Sequence, residues 1–254
     1  MSDYMIPNWP APKNIRALTT SLSGGVSEGA YYSNNLALHV DDDANHVIEN
    51  RQRLRQALSL PGEPAWLNQT HSTRCIVTEE TTDRDGDAAV TRDKNQPLVI
   101  LTADCLPIIL CDQSGQEIAA IHAGWRGLLN GVIQNTLKYM QSAPLNLLAW
   151  IGPAICQDCY EVGESVKQQF LSQYPFVASG FLNRHANLAH IAEMILHQLG
   201  VKAVSLSGIC SFEQKDACYS YRRAPQTGRM GTLIWFDNTQ DHAHAYEKND
   251  TIHL

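Results

Sequence analysis

The 254-residue sequence predicts an α/β protein, a three-layer α/β/α fold in which helices cover both faces of a mixed sheet. Three observations support this prediction. Apolar runs at residues 98–102 and 107–112 are rich in Ile, Leu and Val, which is typical of strands buried on both faces. Residues 127–140 carry apolar side chains at helical spacing. Strand–helix units alternate with strand pairs, and this order favours a sheet with parallel and antiparallel neighbours.

Taken in order, the other elements follow from the same periodicities. The first twenty residues contain three prolines and predict an irregular or edge-strand beginning. Val47, Leu54 and Leu58 lie at helical spacing in a helix over 45–58. The remaining expected elements are two strands within 65–79 separated by a polar interruption, strands at 117–121, 145–151, 201–209 and 232–236, and helices at 164–174 and 188–199.

The chain is expected to be a single domain over residues 1–254, with a core at about 17–236. No repeat and no long linker divides it. Residues 238–254 form a polar tail that contains His242 and His244, and such a segment is expected to be loosely ordered. A metal bound by the two tail histidines would be adventitious.

Composition excludes some classes of partner. The formal net charge of -7 argues against a nucleic-acid-binding surface, which needs clustered Lys and Arg. No apolar run approaches the roughly 20 residues of a membrane span, and the amino terminus lacks the apolar run of a signal peptide. We therefore expect no membrane partner and a cytoplasmic location. Seven cysteines in such a chain favour reduced thiols over a disulfide framework.

Polar residues at the ends of buried strands indicate a site. Cys105 follows the run at 98–102, His122 and Arg126 follow the run at 117–121, and His71 lies in the polar interruption. Two imidazoles and one thiolate suit Zn²⁺, and three protein ligands leave a fourth position for water, as in catalytic zinc sites. The alternative is that Cys105 packs as a small hydrophobic residue. Sequence separation alone does not decide whether the three side chains meet.

Other motifs have a structural and a functional interpretation. Cys156 and Cys159 form a CxxC, for which two reduced thiols are favoured over a structural metal or a redox pair because no second CxxC accompanies it. The acidic run of Asp83, Asp85 and Asp87 is expected to face solvent.

Several residues are candidates for binding substrate or phosphate. Arg222 and Arg223, with Arg229 nearby, form a basic cluster that can act as a fork for phosphate or carboxylate, or lie in a solvated loop. Arg126 precedes the helix expected to start at residue 127, whose N-terminus would also attract an anion. The remaining two candidates are polar residues of the interruption, Asn68 and Gln69.

Four motifs carry a family resemblance: WLNQTHS at 66–72, TADCLP at 102–107, HAGWRGL at 122–128, and YSYRR followed by TGRMG within 219–231. Together they resemble the YfiH-like family, also called the laccase-domain or polyphenol oxidase family and described as purine nucleoside phosphorylase and adenosine deaminase enzymes. The resemblance implies a zinc site at His71, Cys105 and His122. It also implies roles for Arg126, Arg222 and Arg223 at that site.

Three activities compete. The first is zinc-dependent phosphorolysis of adenosine, inosine and methylthioadenosine, with deamination of adenosine, for which a nucleoside and phosphate are the partners. The second is a cysteine or zinc hydrolase that edits muropeptide precursors, with Cys105 as nucleophile and His122 or His71 as base. The third is a copper polyphenol oxidase, because a His₂Cys set also suits copper. A multicopper oxidase, however, needs many more clustered histidines than this sequence offers outside the tail.

Overall fold

The structure is a computed structural model, and it describes residues 4–237. The predicted tail at 238–254, with His242 and His244, lies outside the described residues. The helices are α1 (Ala44–Ala57), α2 (Trp125–Asn130), α3 (Val132–Tyr139), α4 (Glu164–Gln173) and α5 (Leu188–Gln198). The strands are β1 (Tyr4–Met5), β2 (Ile15–Thr20), β3 (Ala65–Trp66), β4 (Cys75–Val77), β5 (Ala88–Thr91), β6 (Leu98–Thr102), β7 (Leu106–Asp112), β8 (Ile118–Ala123), β9 (Leu147–Ile151), β10 (Phe181–Leu182), β11 (His185–Ala186), β12 (Ala203–Leu206) and β13 (Met230–Phe236).

Most strands belong to two mixed sheets. One has the order β1-β2-β13-β6-β3, and the other has the order β12-β9-β7-β8-β5-β4. In the first sheet β3 runs parallel to β6, whereas β6, β13 and β2 are antiparallel neighbours. In the second sheet β12 with β9 and β4 with β5 are the parallel pairs. The predicted α/β class with parallel and antiparallel strand neighbours is confirmed, and the strands are divided between two sheets where one was expected.

The side chains of β7 show how the layers stack. Ile108 and Leu110 pack into the core formed with α3, α4 and α5, whereas Ile109 and Cys111 point to the opposite face. On that face they share a core with Ile100 of β6 and residues of β13. Because both faces of the six-stranded sheet are apolar, the second sheet covers the face that the helices leave open. The middle layer of the expected three-layer fold therefore consists of two stacked sheets.

One helix covers the outer face of the five-stranded sheet. Leu54 of α1 packs with Val99 and Leu233, whose neighbours in sequence face the other sheet. The side chain of Asp43 caps α1 by accepting a hydrogen bond from the backbone N–H of Asn45 at 2.8 Å. Among residues 4–237, no helix has the length and apolar character that a bilayer crossing requires.

Two local differences from the sequence-based expectation affect the site. The helix expected over 127–140 begins two residues earlier and is broken at Gly131, whose φ of 94° lies in the left-handed region. Its first segment, α2, has six residues, so the expected contribution of a long helix to anion binding is not available there. In addition, residues 88–91 form β5, a strand that the sequence analysis did not predict.

Candidate active site

A cavity of about 490 Å³ opens where β6, β7 and β8 meet their loops. This volume is typical of a small-molecule site. Cys105 lies in the turn between β6 and β7, His122 lies near the end of β8, and His71 lies in the loop between β3 and β4. All three side chains line the cavity. The loop that carries His71 thus meets the strand ends that carry Cys105 and His122, although His71 and His122 are 51 positions apart in sequence.

The three side chains form a group that can hold a metal. Their ligand atoms all lie within 4.8 Å of one another. His71 Nε2 is 3.7 Å from Cys105 Sγ, close to the sulfur–nitrogen separation of about 3.5 Å expected across a tetrahedral zinc ion. The rings of His71 and His122 are inclined at 72° with centroids 4.8 Å apart. The residues therefore fit a metal with one position left open toward the cavity.

The backbone at the site permits this approach. His71 has a φ of 61° and Asp104, beside Cys105, has a φ of 88°. Gly124 lies against the group, and a Cβ at this position would be 2.6 Å from His71 Cδ2 and 3.1 Å from Cys105 Sγ. Any side chain at residue 124 would displace a candidate ligand. The first glycine of the HAGWRGL motif, Gly124, is thus explained by the space that the three candidate ligands need.

Asp87 accepts hydrogen bonds that hold two of the three candidate metal ligands in position. Its carboxylate is fully buried and accepts a hydrogen bond from His122 Nδ1 at 2.7 Å. It also accepts backbone N–H bonds from His71 at 3.0 Å and Ser72 at 2.6 Å. A carboxylate on one imidazole nitrogen fixes the ring so that the other nitrogen, Nε2, can face a metal. One side chain therefore positions two of the three candidate ligands.

The expectation that the acidic run faces solvent is wrong for Asp87. Asp83 and Asp85 are exposed as expected. Asp87 differs because it directly precedes β5, which is buried along its whole length and pairs with β8. The apolar run that follows Asp87 is the sequence signal that distinguishes it from the other two acids.

The pKa values of Cys105, His122 and Asp87 are all shifted in favour of the charged forms. Burial raises the pKa of the Cys105 thiol, but the positive charge of His122 and hydrogen bonds from both histidines lower it to about 6. Burial opposes charge on His122, yet Cys105 and Asp87 together raise its pKa to about 9. Burial is likewise outweighed at Asp87, where hydrogen bonds from His122 and Ser72 lower the pKa to about 2. Without a metal, Cys105 and His122 therefore form a thiolate–imidazolium pair at neutral pH.

The candidate arginines divide into two groups. Arg126 and Arg222 line the cavity, and Arg229 joins them. Arg223 does not line it, because its guanidinium donates to the carbonyl oxygens of Ser211 at 3.0 Å, Phe212 at 2.7 Å and Cys218 at 2.6 Å. Arg223 therefore holds the backbone of residues 211–218 in place, and the phosphate role expected of it stays a prediction.

Asn68 and Gln69, the two other candidates for binding substrate, also differ in where their side chains lie. Gln69 lines the cavity, but its amide exchanges two 2.8 Å hydrogen bonds with the backbone of Leu101. It therefore holds the end of β6 in place. Asn68 points elsewhere and donates to Asp85 Oδ1 at 2.8 Å. Asn68 is not among the residues that line the cavity, and its expected contact with substrate stays a prediction.

Three cavity residues were not singled out from sequence. His39 lines the cavity, and burial together with the charges of Arg229, Arg51 and His122 lowers its pKa, which favours the neutral imidazole. Tyr160 and Tyr221 add aromatic walls. Tyr221 belongs to the YSYRR motif, whereas His39 and Tyr160 come from segments outside the four motifs.

Comparison with known proteins supports the sequence resemblance. Residues 16–237 match the family described as multi-copper polyphenol oxidoreductase laccase. A Haemophilus influenzae protein named purine nucleoside phosphorylase is 42% identical over 239 residues, which is 91% of this chain and 98% of the relative. The Escherichia coli protein named purine nucleoside phosphorylase YfiH is 36% identical over 241 residues, 92% of this chain and 99% of the relative.

Solved structures agree with the fold. A Neisseria meningitidis protein of the DUF152 family superposes with a TM-score of 0.88 and 40% identity, covering 93% of this chain and all of that one (100%). YlmD from Geobacillus stearothermophilus superposes with a TM-score of 0.81 and 25% identity, over 92% of this chain and 96% of that one. The two-sheet architecture is therefore shared along nearly the whole chain.

Proposed function

The chain belongs to the family described as multi-copper polyphenol oxidoreductase laccase, and from that premise we propose that it is a zinc-dependent purine nucleoside phosphorylase. The proposed substrates are phosphate with adenosine, inosine or methylthioadenosine. We extend the proposal to the deamination of adenosine in the same cavity. Relatives named purine nucleoside phosphorylase, aligned over almost their whole length, support the first activity.

The observation that carries the proposal is the meeting of two kinds of group in one cavity. His71, Cys105 and His122 lie on one side, and the guanidiniums of Arg126, Arg222 and Arg229 also line the space. None of the salt bridges within residues 4–237 includes these three arginines. An anionic ligand can therefore bind them without displacing a carboxylate.

The arginines and aromatic side chains have defined tasks in phosphorolysis. Arg126 lies over the Trp125 ring, with its guanidinium carbon 4.4 Å from the ring centroid. Together with Arg222 it would hold phosphate near C1′ of the sugar. In the reaction an oxygen of phosphate bonds to C1′ as the bond from C1′ to N9 breaks. The purine leaves with the bonding electron pair and takes up a proton, and ribose 1-phosphate remains.

The metal-binding group serves both proposed reactions. His71, Cys105 and His122 would hold the zinc ion, with Asp87 fixing His122. When bound, zinc supplies Lewis-acid activation of water or of a substrate atom. In deamination, water adds to C6 of the purine and ammonia leaves, which requires a group that accepts and returns a proton. His39, held neutral in the cavity, is suited to that role.

Product analysis tests the proposal. Purified protein is incubated with adenosine or inosine, with and without phosphate, and the products are separated by chromatography. We expect adenine or hypoxanthine with ribose 1-phosphate only when phosphate is present, and conversion of adenosine to inosine in either case. The absence of any purine product at high enzyme concentration would contradict the proposal.

A second function has one specific observation in its favour. Cys105, His122 and Asp87 are ordered as a nucleophile, a base and an orienting carboxylate, which is the arrangement of cysteine hydrolases. Cleavage of a muropeptide precursor by metal-free protein would support this alternative. Metal occupancy discriminates, because a thiolate bound to zinc is protected from alkylation by iodoacetamide and one acting as a nucleophile is not.

Copper is the alternative metal that the family description suggests. Two groups of candidate ligands occur within residues 4–237, and neither contains more than two histidines. This is fewer than a multicopper oxidase requires, so we propose zinc. Elemental analysis of protein purified without added metal decides between the two ions.

A further inference from the structure

A second cluster of metal-ligating side chains lies outside the proposed active site. It consists of Cys156, Cys159, Cys210 and Glu213, whose ligand atoms all lie within 4.8 Å of one another. The CxxC therefore does acquire further partners, although they come from a segment about fifty residues away. Cys159 Sγ is 3.8 Å from Glu213 Oε1, near the separation of about 3.6 Å expected across a tetrahedral zinc ion.

Backbone contacts also hold these two segments together. Ala154 and Cys210 form an isolated parallel bridge. The backbone N–H of Cys156 donates to Cys210 Sγ at 3.3 Å. These contacts join the two loops through their backbones, and a donor aimed at the sulfur favours its thiolate form.

The composition of the cluster points to a cation of borderline softness. Three sulfurs and one carboxylate oxygen make a complete set of four, as closed structural zinc sites do. Such closely spaced acidic groups repel one another when ionised, so a divalent cation between them removes a destabilising interaction. Cys210 is buried, Cys156 and Cys159 are partly buried and Glu213 is exposed, so an ion has access from solvent.

We propose that Cys156, Cys159, Cys210 and Glu213 bind a second, structural zinc ion that joins two loops of the cavity wall. The first loop carries Ile155 and Tyr160, both of which line the cavity. The second loop carries Ser211, whose hydroxyl donates to Asp104 Oδ1 at 2.6 Å beside Cys105. The bound ion fixes the wall on which the substrate rests. This proposal does not depend on the reaction that the cavity performs.

Cobalt binding to a Cys105→Ala variant tests the proposal. This background removes the thiol of the first group, so a thiolate-to-cobalt absorption band reports the second cluster. The protein is reduced, freed of metal and titrated with Co²⁺. We expect the band to saturate at one cobalt per chain, with a rise in the thermal unfolding midpoint. Histidines in the tail cannot produce a thiolate band, so adventitious binding there does not imitate the result.

Matched substitutions in the same background locate the ion. Adding Cys159→Ser is expected to abolish the band and the cobalt-dependent rise in midpoint, whereas Cys75→Ala, which alters a buried cysteine elsewhere, should leave both unchanged. Glu213→Gln keeps all three thiols and is expected to weaken cobalt binding roughly tenfold or more, since even indirect partners of a metal contribute that much. This milder variant preserves the test if Cys159→Ser fails to fold.

Three results would overturn the proposal. The first is the absence of a thiolate band in fully reduced Cys105→Ala protein. The second is a band that survives addition of Cys159→Ser. The third is a mass two hydrogens lower in native protein as purified, with Cys156 linked to Cys159 or Cys210, which would make the cluster a redox pair instead.

Discussion

The two candidate metal-binding groups lie near one another in the fold but differ in composition and completeness. His71, Cys105 and His122 supply three ligands beside an open cavity, whereas Cys156, Cys159, Cys210 and Glu213 supply four ligands between two loops. Three protein ligands with an open position are typical of catalytic zinc, and four closed ligands are typical of structural zinc. The number of protein ligands, rather than the presence of cysteine, is thus the property that distinguishes the two candidate groups.

The two groups also differ in the hydrogen bonds that hold their ligands in place. Asp87 holds two ligands of the first group with hydrogen bonds of 2.7 Å and 3.0 Å. The second group rests on backbone contacts between its loops, such as the 3.3 Å bond from Cys156 to Cys210. Precise orientation matters where substrate must react, and mere proximity is enough where an ion joins two loops.

The largest expected effect is that of Cys105→Ala. Removing one of three ligands should abolish metal binding at the first group and all purine turnover, because two histidines alone hold zinc weakly. Elemental analysis, in which zinc should fall by one ion per chain, and chromatography of products provide the measurement, and Cys75→Ala is the matched control. Zinc content and purine turnover unchanged from the parent protein would show that Cys105 is not a ligand of the first group.

The next effect is that of Asp87→Asn. The amide cannot accept from His122 and from the loop amides as the carboxylate does, so metal affinity of the first group should fall by roughly 10-fold to 100-fold. Competition with a chelator measures this loss. Asp85→Asn, an exposed neighbour bonded to Asn68, is the matched control and should leave affinity unchanged. Equal losses in both variants would show that general charge, not orientation of His122, is responsible.

The two groups should also differ in pH dependence. In the metal-free state at pH 7, Cys105 is ionised and His122 is protonated, so binding releases about one proton. Burial raises the pKa of both Cys156 and Cys159, the latter to about 12, so binding there releases about two protons or more. Acidification weakens both sites, by roughly tenfold per proton per pH unit. Affinities measured between pH 6.5 and 8 should give the steeper slope for the four-ligand group.

The smallest expected effect is that of Arg126→Ala. A charge-assisted hydrogen bond to phosphate contributes about 1.5 kcal/mol, so phosphorolysis should slow roughly tenfold, while deamination and metal content change little. Arg126 is exposed, so this estimate takes the lower end of the range for charged groups. Arg223→Ala is the contrast: it should lower both activities equally, together with the melting temperature, because its guanidinium holds three backbone carbonyls.

Much of the candidate first group could be proposed from local sequence. Cys105 and His122 interrupt runs of buried strand residues, and a polar side chain in such a place requires an explanation. The α/β class and most strands followed from hydrophobic periodicity, as for β6, β7 and β9. The break at Gly131 was missed because an apolar stripe continues on both sides of it, and only the backbone angle reveals the interruption.

The amino-acid sequence specifies the kinds of chemistry available: imidazole, thiolate and guanidinium groups at strand ends, in a chain of acidic net charge. Tertiary structure alone decided which of them meet. It buried Asp87 behind His122, brought Cys210 to the CxxC, and turned Arg223 away from the cavity while placing Arg229 in it. The physical reason is that periodicity reports which face of one element is buried, whereas contacts between distant segments depend on how sheets pair and loops pack.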